Sequence, residues 1–409
     1  MTPTTSKTAV RRLAAARLIS VTGGAACYTA LMFTVYQLTH SPTWLSATLL
    51  LTFGVSGFVA PLAGALGDRF DRRRVMIVSD LLGVGCFAAM AFTHDPGWLL
   101  GLAFASAVVE TPFWSASGAA IPNLVSEKDL SWANGLIALG RNSGIMVGPA
   151  IGGLLLASVG SSWVFGLNAL SFVFSAFLVW SVRGRSFSAS ERDDSGEHKG
   201  LRAGFVFLSR DRILRVIVLA WVTLVLGMGL VMVADVPLTE HFHAGSLGYG
   251  LLITCWGGGS VLGSLAGRKL DERKELRALF WGVLLIAFST GAIAVSPWFP
   301  PILLMAAISG FGDAITLVAE QGIQQRRTPD AVRSRVMSAA DAIITVSFAL
   351  SLVVSGVVLR AVGPQNVYAI GGLTALAGAV VLMPVFRAGR ETAAQTAMTE
   401  AAVEPTAGG

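Results

Sequence analysis

The stretch Val216–Ala234, VIVLAWVTLVLGMGLVMVA, contains no charged residue and has no polar face. A helix needs roughly 20 mainly apolar residues to cross the hydrocarbon core of a bilayer. A helix that is apolar all round belongs in a protein core or in lipid, not at a water-exposed surface. This stretch therefore predicts a transmembrane helix and places the chain among the all-α membrane proteins.

Eleven further apolar runs of similar length follow the same pattern along the chain of 409 residues. The composition agrees, because 54% of the residues are hydrophobic and only 13% are charged, whereas soluble domains carry about 25% charged residues. The twelve predicted spans are 14–38, 44–67, 75–93, 97–119, 134–159, 162–182, 213–238, 246–267, 276–296, 300–322, 334–359 and 365–386.

The basic residues predict the orientation of these spans. Nearly all of the 30 Lys and Arg residues fall in the N-terminal segment, in alternate loops and in the C-terminal tail. Loops rich in Lys and Arg stay in the cytoplasm, so both termini are predicted to be cytoplasmic in a multi-pass plasma-membrane protein. The net charge of +6 does not indicate a nucleic-acid partner, because the basic residues stand in short clusters between apolar runs.

The chain contains an internal repeat. GALGDR at 64–69 closes the second span, and GSLAGR at 263–268 closes the eighth, 199 positions later; each is followed by a charge cluster. The repeat predicts two pseudo-symmetric six-helix bundles that rock around a site near the membrane midplane, as in secondary transporters. The predicted regions are a cytoplasmic segment 1–13, a bundle 14–182, a cytoplasmic linker 183–212, a bundle 213–387 and a disordered tail 388–409.

The loop after the second span carries the first specific motif, whose elements are Gly64, Asp68 and Arg69 followed by Asp71–Arg74. It predicts a tight turn in which Asp68 ends a helix and the basic run holds the loop inside. With Arg72, and with Asp341 near the start of the eleventh span, these residues are candidates for a cytoplasmic gate; Asp341 is alternatively an acid that is favourable at the N-terminal end of its helix. The simpler alternative is a positive-inside loop without a gating role.

The fifth span carries the second motif, which is built from glycines. Gly144, Gly148 and Gly152 stand four residues apart, so they form a smooth ridge that lets another helix approach closely. A similar ridge, Gly259, Gly263 and Gly267, lies in the eighth span, and we expect the two ridges to meet. Generic helix packing is the alternative. The complete motif consists of Gly135, Gly144, Gly148, Pro149, Gly152 and Gly153.

These motifs resemble those of a known family. The first is similar to motif A of the major facilitator superfamily, and the second resembles motif C, the antiporter signature of its drug:proton exporters. Four other stretches resemble the subgroup of enterobactin-type siderophore exporters and macrolide efflux proteins; they are Val35–Pro42, Ile121–Val125, Leu139–Asn142 and Gln324–Pro329.

The resemblance implies the twelve-helix major facilitator fold, a gate that includes Asp68, and an export bias set by Gly148 and Pro149. Two departures stand out. The second copy of the first motif has Gly267 where the first has Asp68, so a weaker second gate is expected. The fourth span also lacks the Arg that many proton antiporters of this superfamily carry.

Ionisable residues inside spans are costly and normally face a cavity or a partner. Glu110 in the fourth span and Asp313 in the tenth are 203 positions apart, close to the repeat offset. Either one is a candidate to carry a coupling proton or to contact a cationic or polyhydroxylated substrate; a buried structural acid is the alternative. Arg141 in the fifth span either pairs with an acid or snorkels to the surface.

The sequence predicts a secondary transporter that exports a drug, an antibiotic or a siderophore by proton antiport. An importer on the same fold and a non-transporting membrane sensor are the alternatives. No nucleotide-binding loop, metal-ligand cluster or nucleophile motif stands in the sequence, so we predict no enzyme activity, no cofactor and no metal. The expected partners are a small-molecule substrate, protons and the lipid bilayer, and a monomer is expected.

Overall fold

The computed structural model describes residues 3–54, 59, 70–125, 129–181, 201–268 and 270–403. Within these ranges the regular secondary structure is helical throughout. The helices are α1 (Pro3–Thr39), α2 (Pro42–Leu49) with a π-helical turn at Leu50–Gly54, α3 (Arg72–Phe92), α4 (Pro96–Leu124), α5 (Leu130–Val159), α6 (Ser161–Trp180), α7 (Leu201–Arg210), α8 (Arg212–His241), α9 (Gly245–Gly267), α10 (Glu272–Ala294), α11 (Phe299–Arg327), α12 (Asp330–Val362) and α13 (Pro364–Val403).

Across the described residues, 11 helices are long and apolar enough to cross a membrane. They coincide with eleven of the twelve predicted spans, which confirms a multi-pass helical architecture. The remaining predicted span, 44–67, begins in α2 and the following π-helical turn. Its later part falls largely outside the described residues, so the twelfth crossing stays a prediction.

Aspartates fix the starts of several membrane helices. The side chains of Asp71, Asp95 and Asp271 each accept a hydrogen bond from the backbone N–H three residues later, at 2.9–3.0 Å. These bonds satisfy amide groups that the first turn of a helix leaves without partners. The short turns after α5 and α12 use Gly160 at φ 86° and Gly363 at φ 81°, where other residues would be strained.

The chain divides into two compact units. Unit 1 comprises Met1–Asp193, Met232–Gly257 and Leu352–Pro364, and unit 2 comprises Asp194–Val231, Gly258–Ser351 and Gln365–Gly409. Unit 1 therefore includes parts of α8, α9 and α12 from the second half of the chain. In unit 1, α1 buries residues such as Ala16 and Ala30 against α3, α4, α5 and α6.

Unit 2 has its own apolar core. Ile217, Val283 and Ala319 are fully buried there, between α8, α10 and α11, and α13 adds Leu382. A separate cluster joins Leu208 of α7 to α8 and α12. Each unit thus buries apolar surface inside its own helix packing.

Three segments differ from the predicted boundaries. Helix α1 begins at Pro3, inside the predicted segment 1–13, because Ala9 and Val10 are buried and extend the apolar face. Helix α7 forms within the predicted linker 183–212, since its Leu208 finds an apolar site. Helix α13 continues to Val403, where a disordered tail is predicted; the alanines of that stretch favour helix.

Candidate functional site

A small cavity in unit 1 contains Glu110, the acid predicted in the fourth span. Its lining comes from α1, α3, α4 and α6, and its empty space of about 210 Å³ includes volume that is open to solvent. The enclosed part has room for about one water-sized group, whereas pockets for drug-sized ligands measure about 300–1,000 Å³. The lining residues are Ser20, Ser79, Asp80, Glu110, Phe113, Trp114 and Phe172.

Arg17 of α1 lies beside this cavity and not in a loop. Although Arg17 stands near the N-terminus among other basic residues, it is only 6% exposed. Its guanidinium stacks 3.9 Å from the centroid of the Trp114 ring and lies 5.5 Å from that of Phe113. It also donates a hydrogen bond to the Ser117 hydroxyl. One face of α4 therefore holds this cation inside unit 1.

Asp80 is a site residue that sequence reasoning missed. It lies in α3, is 1% exposed and lines the same cavity as Glu110. Neither of its carboxylate oxygens has a hydrogen-bond partner among the described residues. Arg17 and Glu110 both act on it electrostatically. The signal was available, since Asp80 is the one acid in the apolar run 75–93.

Arg141 lies in α5 with its side chain exposed. It is near enough to Arg17 to interact with it electrostatically. It forms no ion pair with any residue that the structure describes. Both alternatives for Arg141, an acid partner and snorkelling to the surface, therefore stay predictions.

A second polar cluster lies in unit 2, around the predicted Asp313 of α11. Glu320, two turns further along α11, is 6% exposed and accepts a hydrogen bond of 2.6 Å from the Gln324 amide. Asp313 and Asp341 act on Glu320 electrostatically, and the Trp221 side chain neighbours it. Sequence reasoning missed Glu320, although an acid inside the span 300–322 was a visible signal.

The glycine ridge of α5 packs against α1, which corrects the expected pairing with the ridge of α9. A β-carbon at Gly144 would lie 2.9 Å from the Thr22 backbone nitrogen, and one at Gly148 would lie 2.7 Å from the Thr22 carbonyl oxygen. Gly152 meets the backbone of Ala26 in the same way. The α9 ridge instead faces α11 in unit 2, as Gly263 and Phe311 show.

The ridge also differs from the predicted motif at one end. Gly140 continues it toward Ala14, whereas a β-carbon at Gly135 would meet no described residue within 4 Å, and Gly135 is exposed. The spacing explains this, because residues four apart share a helix face and Gly135 is out of that register. On a different face of α5, Pro149 and Gly153 do contact α9, at Gly250 and Ser246.

Other contacts in unit 1 also join the two halves of the chain. The Ser46 and Ser355 hydroxyls are 3.0 Å apart, and Arg360 donates to the Thr43 hydroxyl at 3.2 Å. Gly356 lets α12 approach α2 closely, since a β-carbon there would lie 2.9 Å from the Thr43 α-carbon. These contacts consist of close helix approach at Gly356 and a few hydrogen bonds to hydroxyl groups.

The predicted gate is only partly visible. Gly64, Asp68 and Arg69 lie outside the described residues. Arg72, at the start of α3, is 6% exposed, and Asp341 is exposed on α12.

Unit 2 has ion pairs at the ends of α10 and α11 that the sequence analysis did not predict. Arg326 pairs with Glu275, and Arg327 with Asp211 at 3.2 Å. Partial burial opposes ionisation of Asp211. However, hydrogen bonds from the Leu214 and Ile213 amides and from Arg327, together with the charge of Arg327, lower the pKa of its carboxyl.

Comparison with known proteins places this geometry in a family. The model of the transmembrane secretion effector family matches residues 3–406. The enterobactin exporters EntS of Escherichia coli and of Shigella boydii serotype 18 are each 27% identical to this chain over 341 residues, which covers 80% of this chain and 80% of theirs.

Solved structures share the fold. A bacterial homologue of the iron transporter ferroportin, in an inward-facing state, matches with a TM-score of 0.73 and 17% identity over 92% of this chain and 98% of its own. The nucleoside transporter NupG matches with a TM-score of 0.72 and 12% identity, over 92% and 99% of the two chains. The protein therefore belongs to the transmembrane secretion effector family of the major facilitator superfamily and is a multi-pass membrane transporter.

Proposed function

We propose that this transporter exports a small organic molecule from the cell in exchange for protons, by alternating access. The observation that carries the proposal is the cavity of unit 1, where Glu110 and Asp80 lie beside the buried Arg17. Carboxylates held in a small buried space bind and release protons in coupling sites. The cavity is too small for an organic substrate, which supports an ion-coupling role.

The substrate class follows from the relatives. The relatives export enterobactin, as their name states. We propose an amphipathic siderophore, drug or antibiotic as the substrate, with Asp313 and Glu320 of unit 2 as the acids that contact its polar or cationic groups. We further propose a monomer in the plasma membrane with both termini cytoplasmic.

Alternating access requires contacts that open and re-form. The contacts between chain halves inside unit 1 suit this, because they use lone hydroxyl hydrogen bonds such as Ser46 to Ser355. A single hydrogen bond contributes about 1 kcal/mol net. The few bonds between the chain halves therefore stabilise the closed state only weakly, which allows it to open. We propose that Pro149 and Gly153 of the antiporter motif take part in this closure, and that Gly64, Asp68, Arg69, Arg72 and Asp341 form the opposing cytoplasmic gate.

The experiment is transport of a panel of siderophores and drugs into or out of proteoliposomes under an imposed pH gradient. We expect substrate to move against the proton flux, and Glu110→Gln to abolish the pH-driven component while the folded protein is still recovered. Substrate moving with the protons would identify an importer instead. A reconstituted, folded protein that moves no compound of the panel would support the sensor alternative.

A cross-link tests the closure directly. In a background where Cys27, Cys86 and Cys255 are replaced, the pair Ser46→Cys and Ser355→Cys should form a disulfide that stops transport until a reductant is added. The single variant Ser46→Cys should be unaffected by oxidant. Undiminished transport by the cross-linked protein would contradict alternating access at this contact.

A further inference from the structure

We infer that Asp80 and Glu110 share one exchangeable monovalent cation, because Arg17 already neutralises one of the two carboxylates. This inference rests on the proposed coupled export and adds to it a second cation-binding residue, Asp80, and a fixed charge count. The juxtaposition that carries it is two carboxylates in one cavity with a single buried guanidinium beside them.

Arg17 is a permanent charge of this site. A guanidinium stays protonated in proteins, so its charge cannot vary through a transport cycle. Its position is also fixed, by the ring of Trp114 at 3.9 Å and by the hydrogen bond to Ser117. Arg17 acts on Asp80 electrostatically. No direct ion pair joins these two residues in the described part of the chain.

Asp80 points to a ligand because it is buried and, although the Ser175 hydroxyl lies beside it, its carboxylate makes no hydrogen bond of normal length to a described residue. It is 1% exposed, and neither of its oxygens accepts a hydrogen bond within the part of the chain that the structure describes. Leaving a buried charged group unsatisfied is costly. Asp80 and Glu110 line the same cavity, where the Ser20 and Ser79 side chains add two hydroxyl groups. Carboxylates and hydroxyls can hold either a proton or a small hard cation.

The other polar neighbours do not change the charge count. Cys27 of α1 and Cys86 of α3 lie near Glu110, and both are neutral as thiols. Helix α6 contributes the Ser175 hydroxyl beside Asp80. Arg141 of α5 also acts on Arg17 electrostatically, but it is not among the described residues that line the cavity of the two carboxylates, so the count leaves it out. The described residues of α2, Pro42–Leu49, include no charged side chain.

The number of exchangeable cations is therefore the number of carboxylates minus one. With Asp80 and Glu110 both present it is one. In Asp80→Asn the remaining carboxylate of Glu110 is balanced by Arg17, and no exchangeable cation is left. In the double variant Arg17→Gln/Asp80→Asn, Glu110 stands alone and binds one cation again. The charge count thus predicts that a second substitution repairs the first.

The first experiment measures gradient-driven transport in proteoliposomes for these variants. We expect Asp80→Asn to fall to the level of protein-free vesicles, and Arg17→Gln/Asp80→Asn to recover at least about tenfold over it, a coupling that a double-mutant cycle detects. Arg12→Gln, an exposed arginine one and a half turns earlier in α1, is the matched control and should behave as the wild type. A folded double variant as inactive as Asp80→Asn overturns the inference.

Separate arms identify the cation. A pH gradient at equal Na⁺ should drive transport if the shared cation is a proton, and a Na⁺ gradient at equal pH should drive it if the cation is Na⁺. Either result supports the single shared site. Simultaneous dependence on both gradients, with two charges moved per substrate, overturns it.

The second experiment needs no substrate and so stands apart from the proposed function. A hydrophobic carbodiimide modifies protonated carboxyl groups in apolar surroundings, and peptide mass spectrometry locates the modification. On the purified full chain at mildly acidic pH, we expect modification at Asp80 or Glu110 but not at both in one molecule, and modification of both in Arg17→Gln. Doubly modified wild-type protein overturns the inference even if export is confirmed. Modification of only one of the two carboxyl groups per molecule supports the inference even if no transport is found.

Discussion

The two units carry polar clusters on corresponding helices, yet their charges differ. Glu110 in unit 1 and Asp313 in unit 2 are 203 positions apart, as are Ser117 and Glu320, while Arg17 and Trp221 are 204 apart. In unit 1 a buried cation lies beside the acids. In unit 2 the corresponding position is an indole, and the acids Asp313, Glu320 and Asp341 act on one another.

In sequence, the repeat offset relates Glu110 to Asp313 and Arg17 to Trp221, but the paired residues do not all carry the same charge. Asp80 has no polar counterpart, since Val283 stands 203 positions later. Side-chain identity then decides whether the position holds a cation near acids or an acid cluster. We therefore assign ion coupling to unit 1 and substrate contact to unit 2, and the following tests set the two units against each other.

The largest difference in transport rate is expected between variants of the two acids Glu110 and Asp313. Glu110→Gln should lower pH-driven export at least about 100-fold. This factor corresponds to a rise of about 2.7 kcal/mol or more in the free-energy barrier of the transport step. Asp313→Asn should lower it less than about tenfold, because Glu320 remains in the same cluster. The measurement is initial transport rate under a pH gradient, with expression and monodispersity checked for both variants.

The order of these two effects is the critical result. If Asp313→Asn abolishes the pH-driven component and Glu110→Gln spares it, the ion-coupling site lies in unit 2 and the assignment is wrong. Equal, partial losses in both variants would mean that the two clusters share the coupling role.

The glycine ridges allow a test of packing in each unit. Gly148→Val crowds α1 and Gly263→Val crowds α11, so each should lower the stability by about 1–3 kcal/mol through overpacking. Gly166→Val and Gly258→Val, at glycines where an added β-carbon would lie more than 4 Å from every described neighbour, are matched controls and should change little. Thermal unfolding in detergent measures the difference.

This result also bears on the corrected helix pairing. If the two ridges packed on each other, the variants Gly148→Val and Gly263→Val would be strongly non-additive. Packing on separate partners predicts additive losses. A double variant far less destabilised than the sum of the singles would favour a direct contact between the ridges.

Substitutions of the tryptophans near the two clusters should differ in their effect on stability, by a smaller amount than the effects above. Trp114→Leu removes the ring on which Arg17 stacks, and a desolvated cation–π contact is worth about 2 kcal/mol. Trp221→Leu removes no such contact. In the background Arg17→Gln, the extra cost of Trp114→Leu should vanish, whereas the cost of Trp221→Leu should stay the same. Thermal stability of the wild type, the three single variants and the two double variants completes both cycles.

The smallest effect is expected at Asp211, before α8 in unit 2. Because its pKa is lowered in the folded state, its contribution to stability is present above the ordinary carboxyl pKa and is lost as pH falls through the lowered value. Asp211→Ala should cost about 1 kcal/mol at neutral pH, through loss of the bonds to the Ile213 and Leu214 amides. It should also flatten the acid side of the stability profile.

Asp211→Asn separates the two contributions of this residue. Asparagine still accepts hydrogen bonds from the helix amides but has no charge for Arg327. We expect nearly wild-type stability at neutral pH with the same flattened acid profile. A loss as large as that of Asp211→Ala would show that the ion pair, and not the amide bonds, carries the effect.

Much of the fold follows from local chemistry, so it could be read from the chain. A bilayer demands apolar helices of nearly fixed length, and the run Val216–Ala234 meets that demand without any knowledge of its neighbours. Aspartates and glycines then mark helix ends, as Asp271 and Gly363 do. Family motifs and the acids Glu110 and Asp313 are visible for the same reason, because a lone charge or a spaced glycine is unusual in an apolar run.

Tertiary structure decided which of these residues meet. Arg17 reads as one more basic residue near the N-terminus, and only the packing of α1 on α4 shows that Trp114 and Ser117 hold it inside the unit. The partner of the glycine ridge is likewise set by three-dimensional packing, since a smooth face fits several helices and periodicity cannot name which one. Sequence spacing determines the face on which a side chain stands. The neighbour that covers that face is fixed by the energy of the whole packed arrangement.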